Sequence, residues 1–243
     1  MVQRRYFRTP VAVDTKSDAS PVTIADREAE AVMRELIAAN FPDHGILGEE
    51  HGRERIEAEF VWVLDPIDGT KAFITGRPLF GTLIAVAYQG RPLLGLIDQS
   101  VLQERWVGIA GGGAFWNGRP IHTRACGRLE DAVLSTTSPD LFDRPATQDA
   151  FQRLRGRVRL PIYGGDCYAY GQVALGLVDL VVECGLQPYD FMALAPVVEE
   201  AGGRMTDWQG RPLHLGAEGL VVAAGDAGLG QAACDLLQPR QPG

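Results

Sequence analysis

Asp65-Pro66-Ile67-Asp68-Gly69-Thr70 follows directly on the apolar run Phe60-Val61-Trp62-Val63-Leu64, so two carboxylates and a hydroxyl fall within six residues. An apolar run this short reads as a buried strand, which places Asp65 at the strand end and Asp68 on the turn after it. Pro66 stiffens that turn and Gly69 tightens it, so both acids point one way while the Gly69 and Thr70 N–H groups stay open to an anion. Paired carboxylates beside such N–H groups suit a divalent cation together with a phosphate. Asp-Gly is equally a common turn dipeptide, and the hexamer alone does not separate the two readings.

Other acids stand at comparable places. Gly45-Ile46-Leu47-Gly48 is a short apolar segment that ends in Glu49-Glu50, and Pro188-Tyr189-Asp190 precedes the helical pattern Phe191 to Val198. Singly, Glu49-Glu50 reads as a solvated loop charge and Asp190 as a first-turn acid that favours the helix dipole. Three carboxylate placements at element ends are harder to treat as coincidence.

With these pieces the chain resembles the inositol monophosphatase family of magnesium-dependent phosphatases, whose signature is a Gly-Glu-Glu, an Asp-Pro-Ile-Asp-Gly-Thr and a downstream Asp opening a helix. Here they are Gly48-Glu49-Glu50, Asp65 to Thr70, and Asp190; the likeness runs from about Val13 to the end and includes Pro21 to Asp26 and Glu199 to Gly203. The resemblance implies an α/β fold, a layered α/β/α/β/α sandwich of the inositol monophosphatase and fructose-bisphosphatase type. It implies two halves in one compact unit, residues 1–127 with most metal ligands and residues 128–243 with Asp190 and substrate contacts. The family usually carries a long helix ahead of Tyr6-Phe7 where this chain has only a few residues, so N-terminal packing and dimer contacts are expected to differ.

Carried over residue by residue, Glu49, Asp65, Asp68, Asp190 and the Ile67 carbonyl correspond to ligands of two or three Mg²⁺ ions. Such ions lower the pKa of a bound water and stabilise the departing alkoxide. Thr70, backed by Asp26, resembles the pair that orients the water, and the Gly69 and Thr70 N–H groups would hold the phosphate. The stretches Asp65 to Pro78 and Gly164-Gly165-Asp166-Cys167-Tyr168-Ala169-Tyr170-Gly171 look most like the histidinol-phosphatase branch, which serves histidine biosynthesis; inositol-type members usually have small residues where Asp166 stands. Histidinol phosphate carries an ammonium and an imidazole, and Asp166 and Glu183 are the acids expected to meet that cationic end. The resemblance also implies a homodimer. Inositol monophosphate, fructose bisphosphate and adenosine 3′,5′-bisphosphate are rival substrates, and a non-catalytic relative that only binds a phosphorylated ligand is a rival of another class.

Composition fits a globular protein: 243 residues, 46% hydrophobic and 22% charged. No segment approaches the roughly 18 apolar residues of a membrane span, and the expected location is cytoplasmic. Cys126, Cys167, Cys184 and Cys234 lack Cys-x-x-Cys spacing, so neither a zinc site nor a disulfide framework is supported. A formal charge of −8 disfavours nucleic acid. It also poses a problem for a phosphate-binding enzyme, which cations held by carboxylates would resolve. P-loop, dinucleotide and serine-hydrolase motifs are missing from the sequence.

Periodicity predicts a helix over 21–39, capped by Thr23 and stopped by Asn40-Phe41-Pro42, with Ile24, Val32, Met33, Leu36 and Ile37 as its apolar positions. Residues 51–59 read as a mobile charged loop. Runs at 81–88, 92–98 and 104–110 predict an antiparallel meander, with Gly111-Gly112-Gly113 as a bend. Beyond a soft boundary near 126–130 the pattern alternates: strands at 132–135, 158–163, 179–183 and 220–224, and helices at 168–177, from Asp190, and at 228–237.

Overall fold

The computed structural model describes residues 2–15 and 21–238. Its first half comprises α1 (Val2–Tyr6), β1 (Val13–Thr15), β2 (Pro21–Thr23), α2 (Ile24–Asn40), β3 (Gly45–Gly48), β4 (Gly52–Glu54), β5 (Phe60–Asp68) and α3 (Thr70–Ile74). The meander follows as β6 (Gly81–Tyr88), β7 (Arg91–Gln99), β8 (Glu104–Ile109), β9 (Gly113–Trp116) and β10 (Arg119–Pro120). Next come β11 (Val133–Thr136), α4 (Pro145–Arg155), β12 (Leu160–Tyr163), α5 (Asp166–Ala174) and β13 (Leu180–Glu183). The chain closes with α6 (Pro188–Phe191), α7 (Leu194–Glu200), β14 (Arg204–Asp207), β15 (Val221–Ala224) and α8 (Ala227–Leu237).

The strands form an eight-stranded sheet, ordered β10-β9-β8-β7-β6-β5-β3-β4, a five-stranded sheet, ordered β12-β11-β13-β15-β14, and the hairpin β1-β2. Helix α2 packs on β5 outside the larger sheet, α5 and α7 lie between the sheets, and α4 pairs with α8 against the far side of the smaller one. This is the α/β/α/β/α sandwich the sequence implies. The central layer is apolar because it is covered on both sides: Val173, Phe191, Met192, Val197 and Val198 are fully buried with Leu83 and Ile97 of one sheet and Val181 and Val221 of the other.

Two glycines permit that layer. A Cβ on Gly95 in β7 would sit 1.9 Å from the Ala193 carbonyl oxygen, and one on Gly108 in β8 would sit 2.2 Å from that of Pro196. The backbone around α7 therefore rests directly on the sheet, and α6, which carries Asp190, is fixed by the same contact.

Strand β5 runs further than expected, through the whole Asp65-to-Asp68 stretch. Against β6, Asp65 pairs with Leu83 and Asp68 with Gly81, so β5 holds one extra residue between them. In a regular strand residues three apart face opposite sides; the bulge cancels that alternation and brings both carboxylates to one side. The Ile67 N–H donates to Asp65 Oδ1 at 2.9 Å, so the first acid itself braces the bulge.

Helix α2 packs Ile37 and Met33 inward as its periodicity predicts, but turns its other large apolar residues outward. Ile24, Val32 and Leu36 are exposed, while Ala25, Asp26, Ala29, Glu30 and Ile37 are buried. Alanines allow close approach to the sheet, and the buried acids reach the motif loops. Residues 51–59 likewise hold a short strand instead of a free loop: β4 pairs with β3, and Arg34 reaches the Gly52 carbonyl and, at 3.7 Å, the Glu54 carboxylate.

Candidate active site

The bulge of β5, the turn after β3 and the short helix α6 converge on one cavity of about 270 Å³, whose wall includes Glu49, Asp68, Gly69, Thr70, Asp166, Glu183 and Asp190. Carboxylate oxygens of Asp65, Asp68 and Asp190 all lie within 4.8 Å of one another, although Asp190 is more than a hundred residues away in sequence. Each is held by a backbone donor: Asp65 by the Ile67 N–H, Asp68 by the Cys167 N–H at 2.6 Å, and Asp190 by the Gln187 N–H at 2.7 Å within a capping box. Glu49 stands at the end of β3, its N–H bonded to the Leu64 carbonyl at 3.1 Å, and its charge bears on Asp65. The Ile67 carbonyl accepts the Thr70 hydroxyl at 3.1 Å.

Gly69 adopts a left-handed φ of 86° and caps α3, a conformation that costs glycine little and turns the chain so that its own N–H and that of Thr70 begin a helix. Asp26 occupies the third position of α2, and its Oδ2 accepts from the Thr23 N–H at 2.8 Å and the Thr23 hydroxyl at 2.6 Å. Its other oxygen is buried without a partner. Among the described residues Thr70 and Asp26 thus share no hydrogen bond.

Further parts of the wall come from α5 and β13. Asp166 opens α5 with φ 45°, its side chain lying against Gly69. Glu183 ends β13, only 3% exposed, and accepts from the Thr137 N–H at 2.8 Å and the Tyr170 hydroxyl at 2.9 Å.

Burial and mutual repulsion raise the pKa of several of these acids. Burial, then the charges of Glu49, Asp68 and Asp190, push Asp65 well above the ordinary carboxylate range; burial, then Asp166 and Asp190, do the same to Asp68. Burial and then Glu183 lift Asp166 to about 6. Oxygen donors at this density and repulsion fit a hard divalent cation, which would neutralise them. A raised folded pKa means that the folded state keeps protons the unfolded state has lost, so stability falls as pH rises from about 4, the unfolded carboxylate value, through the folded values. Chelated protein is therefore expected to melt at a higher temperature at pH 5 than at pH 7.5. A melting temperature that climbs toward pH 7.5 in thermal scans would contradict the repulsion.

A model of the inositol monophosphatase family matches residues 1–239. The chain belongs to that family. It is 52% identical over 246 residues to the chloroplastic bifunctional phosphatase IMPL2 of Arabidopsis thaliana, covering 98% of this chain and 71% of the relative. It is 38% identical over 219 residues to a histidinol-phosphatase of Chlorobaculum parvum, covering 90% and 85%. A solved inositol monophosphatase from Zymomonas mobilis superposes with a TM-score of 0.89 at 50% identity, covering 97% of this chain and 91% of that one. Membership makes the protein a metal-dependent phosphomonoesterase, and the Asp65, Asp68 and Asp190 cluster is a site suited to the metal.

Some contributors to this family site are not evident from motif reading. Glu30 is fully buried, accepts the Glu50 N–H at 2.7 Å and the His51 N–H at 3.1 Å, and pairs with Arg34 at 2.8 Å, which fixes the Gly48-Glu49-Glu50 turn. Its one signal is the four-residue ladder Asp26, Glu30, Arg34. The Cys167 and Thr137 N–H donors leave no signal, since any residue supplies a backbone N–H.

Proposed function

We propose that this protein hydrolyses L-histidinol phosphate to L-histidinol and phosphate, using Mg²⁺. The observation that carries the reading is the pair Asp166 and Glu183, a half-buried and a buried carboxylate that line the same cavity as the acidic cluster. A polyol hydroxyl meets such a carboxylate with charge on one side only, whereas an ammonium or imidazolium brings charge to both sides of the hydrogen bond. Similarity to IMPL2 and to histidinol-phosphatases supports the same substrate. Similarity to the Zymomonas mobilis inositol monophosphatase favours the second reading, an inositol phosphate.

In this reading Glu49, Asp65, Asp68, Asp190 and the Ile67 carbonyl hold Mg²⁺, which supplies a nucleophilic water at neutral pH and charge stabilisation of the leaving oxygen. The Gly69 and Thr70 N–H groups hold the phosphate. Thr70 orients the attacking water with Asp26 behind it; to do so its hydroxyl leaves the Ile67 carbonyl, and the unpartnered Asp26 oxygen is the acceptor that accommodates it. Asp166 and Glu183 anchor the amine end and leave the phosphate to the motif.

The test compares kcat/KM for histidinol phosphate and inositol 1-phosphate, first in the wild type and then in Asp166→Asn. Asparagine tolerates the left-handed φ of this position. The substitution is expected to raise KM for histidinol phosphate by about tenfold or more while moving that for inositol phosphate far less. Equal losses on both substrates would remove Asp166 from amine recognition. A cytoplasmic location and a homodimer belong to the same proposal; four free cysteines agree with a reducing compartment, and sedimentation velocity reads the dimer.

A further inference from the structure

Helix α5 offers the cavity more than Asp166. Tyr170 lies four residues on, one turn along the same helix face, and is 1% exposed. Its hydroxyl donates to Glu183 Oε2 at 2.9 Å, while the Thr137 N–H at the end of β11 donates to Oε1 at 2.8 Å. Glu183 is thus gripped at both oxygens by donors from two different elements, and the remaining lone pair on each oxygen is left for a ligand.

The direction of these bonds carries information. A backbone N–H can only donate, and burial beside Glu183 pushes the Tyr170 phenol well above its usual value, so it keeps its proton. Both Glu183 oxygens are then acceptors, and the ligand group they meet must be a donor. A cation answers that requirement better than a hydroxyl, because a hydrogen bond with ions on both sides is the stronger one.

We infer that Tyr170 is a positioning residue for substrate selection, holding the Glu183 carboxylate as an aimed acceptor for an ammonium or imidazolium on the substrate. The inference rests on the proposed role of Glu183 in the reading above. Removing the phenol leaves that carboxylate buried with one donor and free to turn, so selection for the cationic substrate falls while the phosphate machinery at Asp65 to Thr70 keeps its own supports.

The experiment measures KM and kcat with Mg²⁺ for histidinol phosphate and for glycerol 2-phosphate, which has no cationic group, in wild type, Tyr170→Phe and Glu183→Gln. Tyr170→Phe is expected to raise KM for histidinol phosphate about tenfold more than that for glycerol 2-phosphate, with the change in KM and not in kcat. Replacing Tyr170 by 4-fluorophenylalanine, which fills the same space without a donor, carries the same expectation if the Phe variant packs poorly. Replacing it by 4-aminophenylalanine, which keeps a para donor, is expected to restore selection. Equal KM changes on both substrates, or none, would overturn the inference. If Glu183→Gln loses amine selection and Tyr170→Phe does not, the positioning role fails and the reading of Glu183 stands. If Glu183→Gln keeps the wild-type preference for the amine substrate, that reading fails and the inference falls with it.

Discussion

Asp68→Asn is expected to lower kcat by about a thousandfold and, in the chelated protein, to raise the melting temperature. The first effect follows from losing a charged ligand at a centre that stabilises a transition state by several kcal/mol, each factor of ten being about 1.4 kcal/mol. The second follows from the repulsion that burial, Asp166 and Asp190 impose on Asp68, which the neutral amide removes. Asparagine keeps an oxygen able to accept the Cys167 N–H, so the fold is retained. Near-normal turnover in the folded variant would take Asp68 out of the metal site.

Gly95→Val is expected to leave little folded protein and no metal-dependent activity in what remains. Its Cβ would stand 1.9 Å from the Ala193 carbonyl oxygen, a backbone atom that cannot swing aside, and Gly108 beside it is equally tight against Pro196. Overpacking commonly costs about 1–3 kcal/mol, and here an entire helix must shift, against a total stability of roughly 5–15 kcal/mol. Because Asp190 lies three residues before Ala193, any relief of the clash also draws Asp190 from Asp65 and Asp68. A drop in melting temperature of about 10 °C or more is expected in thermal scans. A variant that melts and turns over like wild type would show that α7 does not depend on the bare glycine.

Much of this architecture is written in local pattern. The meander of β6, β7 and β8, the Thr23 cap of α2 and the apolar runs of β11 and β13 follow from periodicity and turn chemistry, and they survive in the structure within a few residues. Strand β14 and helix α4 escape the same reading. Helix α4 buries only Ala150, Phe151 and Leu154 among charged neighbours, and in Arg204–Asp207 the tertiary contact with β15 outweighs a weak strand signal. The face of α2 is only partly legible for a related reason: large apolar side chains mark a core only when nothing smaller fits better, and here Ala25 and Ala29 bring the helix close enough for Asp26 and Glu30 to serve the loops.

For the site, legibility divides by kind of chemistry. Carboxylates at element ends are visible as letters, and Asp65, Asp68 and Asp190 do come together. The bulge that turns Asp65 and Asp68 to one side is not visible, since it depends on pairing with β6. Nor are the donors that aim the acids, the backbone N–H groups of Ile67, Cys167, Gln187 and Thr137. Glu30 and Tyr170 are legible only once the helices that carry them are docked.

The most direct measurement is the rate of phosphate release from histidinol phosphate by chelated protein as Mg²⁺ is added back, wild type beside Asp68→Asn. Saturable activation of the wild type from a near-zero baseline, with little or none in the variant, is the expected result. Release that is independent of Mg²⁺, or equal in the two proteins, would contradict a metal centre built on these carboxylates.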